Sequence, residues 1–241
     1  MLYFLIPVFN EEKNLNKLHS SITSVAKEYP RFYVFSDDGS TDNSLALIKT
    51  LFKAENHIIL GDGSNHGPGR AFNTGFEWIL SHSKEPNDKI ITIEADNTSD
   101  IDILSKMLKM SEMDYQLVLA SVYAQGGGFA ETSFFRRFVS SVAAIIMRNF
   151  FDIKVLTISS FYRIYHVDLI RKIKAKYQNI SEESGFISVV EVLIKGIKLK
   201  ASIIEVPMVL YSKQRKGKSK MKVMKTSFEY VKFLIKSKAL K

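Results

Sequence analysis

Short apolar runs alternate with helical patterns through the first 120 residues of the chain. Five of these runs predict buried strands, at residues 3–9, 32–35, 57–60, 90–93 and 116–120. The intervening segments repeat apolar residues every three or four positions, as Leu15, Leu18 and Ile22 do, which predicts amphipathic helices. Strands that alternate with helices are typical of βαβ units. The pattern therefore predicts an α/β fold with a mostly parallel sheet and helices on both of its faces.

The second half of the chain carries longer patterns. Residues 134–151 predict an unusually apolar helix, and residues 185–196 predict another. Residues 201–206 predict a strand that Pro207 closes. From residue 221 onward, lysines alternate with large apolar residues in the pattern of an amphipathic helix. We therefore expect one domain over residues 1–210, followed at 211–241 by a basic loop and an amphipathic C-terminal helix.

The charge of the chain is concentrated in this C-terminal extension. The formal net charge is +9, and residues 211–241 contain eleven basic residues and a single acid, Glu229. The first 210 residues are thus close to neutral. A basic tail indicates binding to an anion, which the sequence leaves open as lipid headgroups, nucleic acid or a phosphorylated substrate. The helix itself is equally compatible with lying on an anionic membrane and with packing on the body.

Cysteine content and hydropathy restrict the location of the protein. The chain contains no cysteine, which excludes disulfides and fits a reducing compartment. No apolar run reaches about 18 residues, so no membrane-spanning helix is expected. No targeting pattern is visible at the start of the sequence. We expect a cytoplasmic protein that is peripheral at the inner face of the cell membrane.

Three of the predicted strands run directly into acidic residues. The first is followed by Glu11, the second by Asp38, and the fourth by Glu94 and Asp96. Carboxyl ends of parallel strands share one edge of a sheet, where ligands bind. Carboxylates gathered there repel one another unless a cation is present. Because alternate residues of an extended segment face the same side, Glu94 and Asp96 are candidate ligands for Mg²⁺ or Mn²⁺.

Two loops are candidates for binding phosphate. The glycine-rich segment 61–70 matches neither the dinucleotide fingerprint nor the P-loop. It still precedes a predicted helix, where a pyrophosphate can bind and Arg70 would add charge. The segment 215–220 is basic and contains one glycine, so it could fold over a diphosphate. The alternatives are that the segment 61–70 is only a flexible connection and that the segment 215–220 is a solvated basic loop.

These motifs together resemble glycosyltransferase family 2, the inverting, nucleotide-sugar-dependent transferases with the GT-A fold, whose central sheet is Rossmann-like. Within the family the chain resembles the polyprenyl-phosphate sugar transferases, including the dolichyl-phosphate mannose synthases. The similarity covers nearly the whole chain. The matching segments are Ile6-Pro7-Val8-Phe9-Asn10-Glu11, Asp37-Asp38-Gly39-Ser40-Thr41-Asp42, Glu94-Ala95-Asp96, Gly185-Phe186 with Glu191, Glu205-Val206-Pro207, and Arg215 with Gly217-Lys218-Ser219-Lys220.

The resemblance implies roles for particular residues. Asp96, Arg215 and Lys220 would be catalytic, and Glu94 with Asp96 would hold the metal. Arg136 would lie near the acceptor phosphate. The nucleotide sugar would be bound by Pro7, Phe9, Glu11, Asp38, Arg70, Glu94 and Lys218.

The chain departs from the synthase pattern at several positions. Glu94 replaces the first aspartate of the metal motif, and Thr98 replaces a glutamine that contacts the metal. Val122 stands where the synthases have an arginine, and Leu156 where they have an aspartate. The sugar, the nucleotide base and the acceptor are therefore left open.

The predicted function is transfer of a sugar from a nucleoside-diphosphate sugar to a polyprenyl phosphate. Such an acceptor is already ionised at neutral pH and needs no general base. A hydroxyl acceptor on a glycan or lipid-linked saccharide is the alternative, and it would require a carboxylate base, for which Glu182 and Glu183 are candidates. A non-catalytic protein that binds nucleic acid or another anion through the tail is the third possibility, but it leaves the acidic strand ends unexplained.

Overall fold

Nine strands and eight helices make up the described fold. The structure, a computed structural model, describes residues 1–132, 134–220 and 223–236, with backbone alone for 134–140, 223–225 and 227. The strands are β1 (Leu2–Val8), β2 (Arg31–Asp37), β3 (His57–Leu60), β4 (Lys89–Thr92), β5 (Leu117–Ser121), β6 (Gly128–Ala130), β7 (Arg163–His166), β8 (Ile203–Pro207) and β9 (Val209–Tyr211). The helices are α1 (Leu15–Val25), α2 (Ser44–Leu51), α3 (Pro68–His82), α4 (Leu104–Glu112), α5 (Phe134–Phe151), α6 (Val167–Tyr177), α7 (Ser188–Lys198) and α8 (Val223–Lys236).

Seven strands form one sheet in the order β3-β2-β1-β4-β7-β5-β8, and β6 pairs with β9 in a separate two-stranded sheet. In the large sheet only β7 runs antiparallel to its neighbours, β4 and β5. The predicted α/β fold with a mostly parallel sheet is confirmed.

The strand β7 and the helix α6 that follows it were not predicted. β7 lies in the interior of the sheet, where Arg163 pairs with Thr92 on one side and with Leu119 on the other. A central strand normally reads as a continuous apolar run. Arg163 interrupts that run although it is fully buried, with 0% of its surface exposed. The sequence pattern therefore concealed the strand.

Two hydrophobic layers cover the two faces of the sheet. Side chains alternate along β1, so that Phe4 and Ile6 join the layer that contains α1, while Tyr3 and Leu5 join the layer that contains α3 and α7. Gly75 lets α3 approach the sheet closely, because a β-carbon at that position would overlap the Leu5 side chain. The helices therefore hold the strands rigidly and fix the positions of the loops at the strand ends.

The parallel register of β1, β2 and β4 brings their carboxyl ends to one edge. Val8 pairs with Asp37 at the end of β1 and β2, and Leu5 pairs with Thr92, the last residue of β4. The loops that carry Glu11, Asp38 and Asp96 therefore leave the sheet side by side. The acidic edge that the sequence predicted is present.

The C-terminal helix α8 packs on the body of the protein through one side. Phe233 is buried, and its ring centroid lies 5.8 Å from that of Phe151 on α5. The other side of α8 leaves Phe228, Val231 and Ile235 exposed by 71%, 53% and 68%. Within the described parts of the chain, no helix combines the length and the hydropathy needed to cross a bilayer.

Candidate active site

A cavity of about 730 Å³ opens at the carboxyl edge of the sheet. Most of the predicted site residues line it, namely Pro7, Phe9, Glu11, Asp38, Glu94, Asp96, Arg215 and Lys220. Arg70 and Lys218 are exposed and lie outside this lining, so the structure does not bring these two predicted nucleotide-sugar contacts to the cavity. The side chain of Arg136, the predicted acceptor contact, lies outside the described residues.

The loops after β1 and β2 are tied to each other. Asn10 adopts a positive φ of 54°, and its side-chain oxygen accepts hydrogen bonds from the backbone N–H of Thr41 at 2.7 Å and of Asp42 at 3.2 Å. Next to it, Glu11 accepts a 2.6 Å hydrogen bond from Asn14. Burial raises the pKa of Glu11, while its ion pair with Lys220, at 3.0 Å, opposes that rise. The Glu11 carboxylate is therefore fixed at the cavity wall.

The glycine-rich loop closes onto Asp38. The backbone N–H groups of His66 and Gly67 donate to one Asp38 oxygen at 2.7 and 2.9 Å. Burial raises the pKa of Asp38, and these two hydrogen bonds oppose the rise because they favour the ionised carboxylate. Gly67 ends the loop with a φ of 95°, a conformation that favours glycine. The loop thus positions Asp38, and the N-terminus of α3 follows directly.

Glu94 and Asp96 lie together at the base of the cavity. Burial, with the neighbouring Asp96 charge, raises the pKa of Glu94 to about 8. One oxygen of Asp96 accepts hydrogen bonds from the Thr98 N–H at 3.0 Å and the Thr98 hydroxyl at 2.7 Å. The other oxygen accepts from two nitrogens of Arg215, with Nε at 2.7 Å. Thr98, which replaces the glutamine of the synthases, therefore orients the Asp96 carboxylate.

These two carboxylates fit a hard divalent cation that is bound together with a substrate. In the described part of the chain, no group of three or more Asp, Glu, His or Cys side chains is arranged to hold a metal ion. Mg²⁺ commonly takes only one or two protein carboxylates and completes its shell with water and substrate phosphates. A cation would also relieve the repulsion that disfavours charge on Glu94. The donor set is thus suited to a metal–diphosphate unit.

The basic segment lies folded over the acidic edge. Besides the Arg215–Asp96 and Lys220–Glu11 ion pairs, the Lys216 N–H donates to Asn14 at 2.8 Å. The Asn14 side chain donates in return to the Lys216 carbonyl oxygen at 3.1 Å. The segment is therefore held against the acidic edge at Arg215, Lys216 and Lys220, while Gly217 and Lys218 are exposed to solvent. Fixed cations stand next to the carboxylates.

The cavity lining also includes aromatic side chains and residues of α8 that were not predicted as site residues. Its aromatic side chains include Phe161, whose ring lies 5.0 Å from that of Phe72 and 5.6 Å from that of Phe186. Helix α8 adds Thr226, Glu229 and Tyr230 to the lining. These residues are spaced by three and four positions, so they lie on one face of α8. That spacing is the sequence feature that could have indicated this face.

Glu182 and Glu183, the candidate bases, do not line the cavity. Both accept from Lys236 on α8, at 3.3 and 3.2 Å. Glu229 does line it, and a β-carbon on Gly185 would lie 2.5 Å from a Glu229 carboxylate oxygen. Glu229 is thus a carboxylate of the cavity lining that the sequence pattern did not indicate as a site residue.

The fold and the site together define the class of protein. A mostly parallel sheet whose carboxyl edge joins acidic strand ends to a basic closing segment is that of a GT-A glycosyltransferase. The chain belongs to glycosyl transferase family 2, whose sequence pattern matches residues 3–174.

Two relatives belong to the branch that the motifs resemble. The chain is 25% identical to the polyprenol monophosphomannose synthase of Mycolicibacterium smegmatis over 220 residues, which cover 90% of this chain and 79% of that protein. It is 26% identical to the dolichol-phosphate mannosyltransferase of Pyrococcus furiosus over 234 residues, which cover 95% of this chain and 61% of that protein. The chain therefore spans about three fifths of the length of the second relative.

Solved structures share the fold. The glucosyl-3-phosphoglycerate synthase from Mycobacterium tuberculosis, in complex with Mn²⁺, UDP and phosphoglyceric acid, superposes with a TM-score of 0.70. The alignment covers 98% of this chain and 78% of that one at 14% identity. The same enzyme in complex with UDP gives a TM-score of 0.66, covering 98% and 79% of the two chains at 13% identity. At such identities the likeness shows the fold alone.

Proposed function

We propose that the chain transfers a sugar, with inversion, from a nucleoside-diphosphate sugar to a polyprenyl phosphate, in a metal-dependent reaction at a membrane surface. One observation carries the proposal. A single cavity is lined both by the charged side chains of Asp96, Arg215 and Lys220 and by the aromatic side chains of Phe72 and Phe161. The charged side chains suit a diphosphate, and the aromatic side chains suit the first part of a lipid chain. The two named relatives are a polyprenol monophosphomannose synthase and a dolichol-phosphate mannosyltransferase.

The donor is bound at the acidic edge. Pro7, Phe9, Glu11 and Asp38 line the cavity where the nucleoside would lie. Glu94 and Asp96 would hold Mg²⁺ or Mn²⁺, which would neutralise the charge that develops on the departing diphosphate. Arg215 and Lys220 act as fixed cations at the same charge.

The acceptor phosphate attacks the anomeric carbon from the face opposite the diphosphate. A phosphate oxygen forms the new C–O bond while the bond to the diphosphate oxygen breaks, which inverts the configuration. An ionised phosphate has no proton to lose in this step, so no base is required. Arg136 is the proposed contact of the acceptor phosphate.

A screen of nucleotide sugars tests this proposal. GDP- and UDP-sugars are incubated with undecaprenyl phosphate in vesicles, with Mn²⁺ or Mg²⁺ or with EDTA, and the lipid-linked sugar is separated by chromatography. We expect product from one donor class, and loss of product in EDTA. Transfer that continues unchanged in EDTA would overturn the metal role, and no product from any donor would overturn the function.

The exposed apolar face of α8 supports a membrane location. Phe228, Val231 and Ile235 are exposed next to lysines, as in helices that lie on anionic bilayers. Sedimentation with phosphatidylglycerol vesicles should decrease when these three residues are changed to serine. Met113→Ser is the matched control, because Met113 is 65% exposed but lies outside α8. Equal sedimentation of the triple variant would contradict this location.

A hydroxyl acceptor is the second candidate function, and the position of Glu229 favours it. Transfer to a hydroxyl needs a base within hydrogen-bond reach of the acceptor. Glu229 lines the cavity beside Gly185. Replacing Glu229 by glutamine therefore distinguishes the two acceptors.

A further inference from the structure

Arg163 is a buried cation beneath the cavity. It is the largest fully buried side chain among the described residues. Its Nε donates to the Ser160 carbonyl at 2.7 Å, and Nη2 donates to the Ile158 carbonyl at 2.6 Å. Nη1 donates to the Val189 carbonyl at 2.6 Å and to the Tyr165 hydroxyl at 3.1 Å. All four partners are neutral, and no carboxylate of the described chain forms an ion pair with this guanidinium.

Two of these bonds shape a wall of the cavity. All five residues of the segment 157–161 line the cavity, and Arg163 holds the carbonyl groups of Ile158 and Ser160. The other end of this segment is held by Glu205, which accepts from the Thr157 N–H at 2.8 Å. The segment is thus fixed at both ends, with Ser159 and Ser160 presented to the cavity.

The positive charge of Arg163 reaches the cavity. Arginine stays protonated in proteins, and a buried charge without a counter-charge is costly. The segment 157–161 contains no charged side chain that could screen it. Burial raises the pKa of Tyr230, which lines the cavity, to about 12, and the Arg163 charge opposes this rise. Glu229 also lines this cavity, and its charge contributes to the raised pKa of Tyr230. Arg163 itself has only neutral hydrogen-bond partners among the described residues, so an anion bound against Ser159 and Ser160 would lie close to its uncompensated charge.

We propose that Arg163 is a positioning residue that makes the segment 157–161 a seat for the anionic head of the acceptor. Arg163 does not touch the substrate. Its guanidinium fork holds the two serines in place, and its charge favours a phosphate over a neutral group. The inference rests on the proposed function, since it assumes that the acceptor binds in this cavity.

Binding of two matched probes tests the proposal without turnover. Farnesyl phosphate and farnesol share one chain and differ in the head group, and their affinities are measured by calorimetry in the presence of Mn²⁺. We expect the wild type to bind the phosphate more tightly. Arg163→Met should reduce that preference on the order of tenfold, the scale of one unit charge acting across several ångströms of protein. Arg31→Met is the control, because Arg31 pairs with Glu55 outside the cavity lining.

A second variant separates charge from positioning. Arg163→Lys keeps the positive charge but lacks the planar guanidinium group that donates to several carbonyls at once. The variant should therefore retain the preference for phosphate. Its KM for the polyprenyl phosphate should rise several-fold, while its KM for the donor should stay unchanged. If Arg163→Met does not fold, this variant carries the test. A wild type without preference, an Arg163→Met variant with the wild-type preference, or an equal rise of both KM values in Arg163→Lys would overturn the proposal. Failure of every donor to react would instead overturn the proposed function and leave the binding result standing.

Discussion

Replacing Asp96 by asparagine removes one negative charge and leaves the shape of the side chain nearly unchanged. In the structure one Asp96 oxygen accepts from Thr98, and an amide oxygen can keep that bond. The other oxygen accepts from two nitrogens of Arg215, and an amide nitrogen in its place has no lone pair to offer them. The variant therefore removes both the carboxylate charge and the acceptor of the two Arg215 hydrogen bonds, while the side chain keeps its size.

The effect on stability follows from the exposure of the pair. Hydrogen bonds to a charged group contribute about 1.5–3 kcal/mol each. The Asp96 side chain is 8% exposed and that of Arg215 19%, so solvent screens part of this interaction. We expect Asp96→Asn to lower the free energy of unfolding by about 2 kcal/mol in total, which corresponds to a fall in Tm of about 4–8 °C for a chain of this size.

The effect on turnover should be larger than the effect on folding. Loss of a ligand to the ion that offsets leaving-group charge should lower kcat by about 10³-fold or more, equivalent to about 4 kcal/mol in the transition state. Transfer is measured with the donor found in the screen, and folding by circular dichroism and thermal melting. Asp152→Asn is the control, because that carboxylate is 83% exposed in a surface pair with Lys154. A folded Asp96→Asn enzyme with near-normal turnover would refute the metal role.

Three further substitutions test separate parts of the site. Arg215→Met should lower turnover about 10²-fold yet tighten Mn²⁺ binding in calorimetry, since a competing cation is gone; weaker binding would contradict this. Gly69→Ala should lower the free energy of unfolding in urea by about 1–3 kcal/mol, because its β-carbon would overlap the Glu183 carbonyl. Gly196→Ala is the control, because the nearest neighbour of its β-carbon would lie at 3.9 Å and the free energy of unfolding should not fall. Equal unfolding midpoints of the two variants would argue against this packing. Glu229→Gln should leave phosphate transfer within about threefold but lower hydroxyl transfer about 10²-fold or more, and the reverse pattern would exclude Glu229 as a base.

The acidic edge could be predicted because it depends on residues that are close to one another in the sequence. Each strand is a local apolar run, and each carboxylate follows its strand within a few residues, as Glu11 and Asp96 do. Parallel pairing then brings the strand ends together without any further information. The predicted glycine loop was correctly placed before a helix, but its exposed Arg70 shows that local pattern does not fix which side chain faces the site.

The aromatic part of the cavity lining could not be predicted because it is assembled from segments that are distant in the sequence. Phe72 stacks on Phe161, and Glu229 meets Gly185, across separations of 89 and 44 residues that periodicity cannot relate. Lys236 likewise engages Glu182 and so removes a candidate base from the cavity.

The sequence by itself determined the family, the mostly parallel sheet and the carboxylates of the acidic edge, because these depend on local periodicity and on short motifs that can be recognised without knowledge of long-range contacts. Only the tertiary structure decided that α8 forms part of the cavity wall and that Arg163 begins a strand in the interior of the sheet. Burial of a charged side chain is decided by the partners that the fold supplies, here carbonyl groups from β7's flanking loop and from α7. Those partners lie up to 26 residues away, beyond the reach of any local pattern.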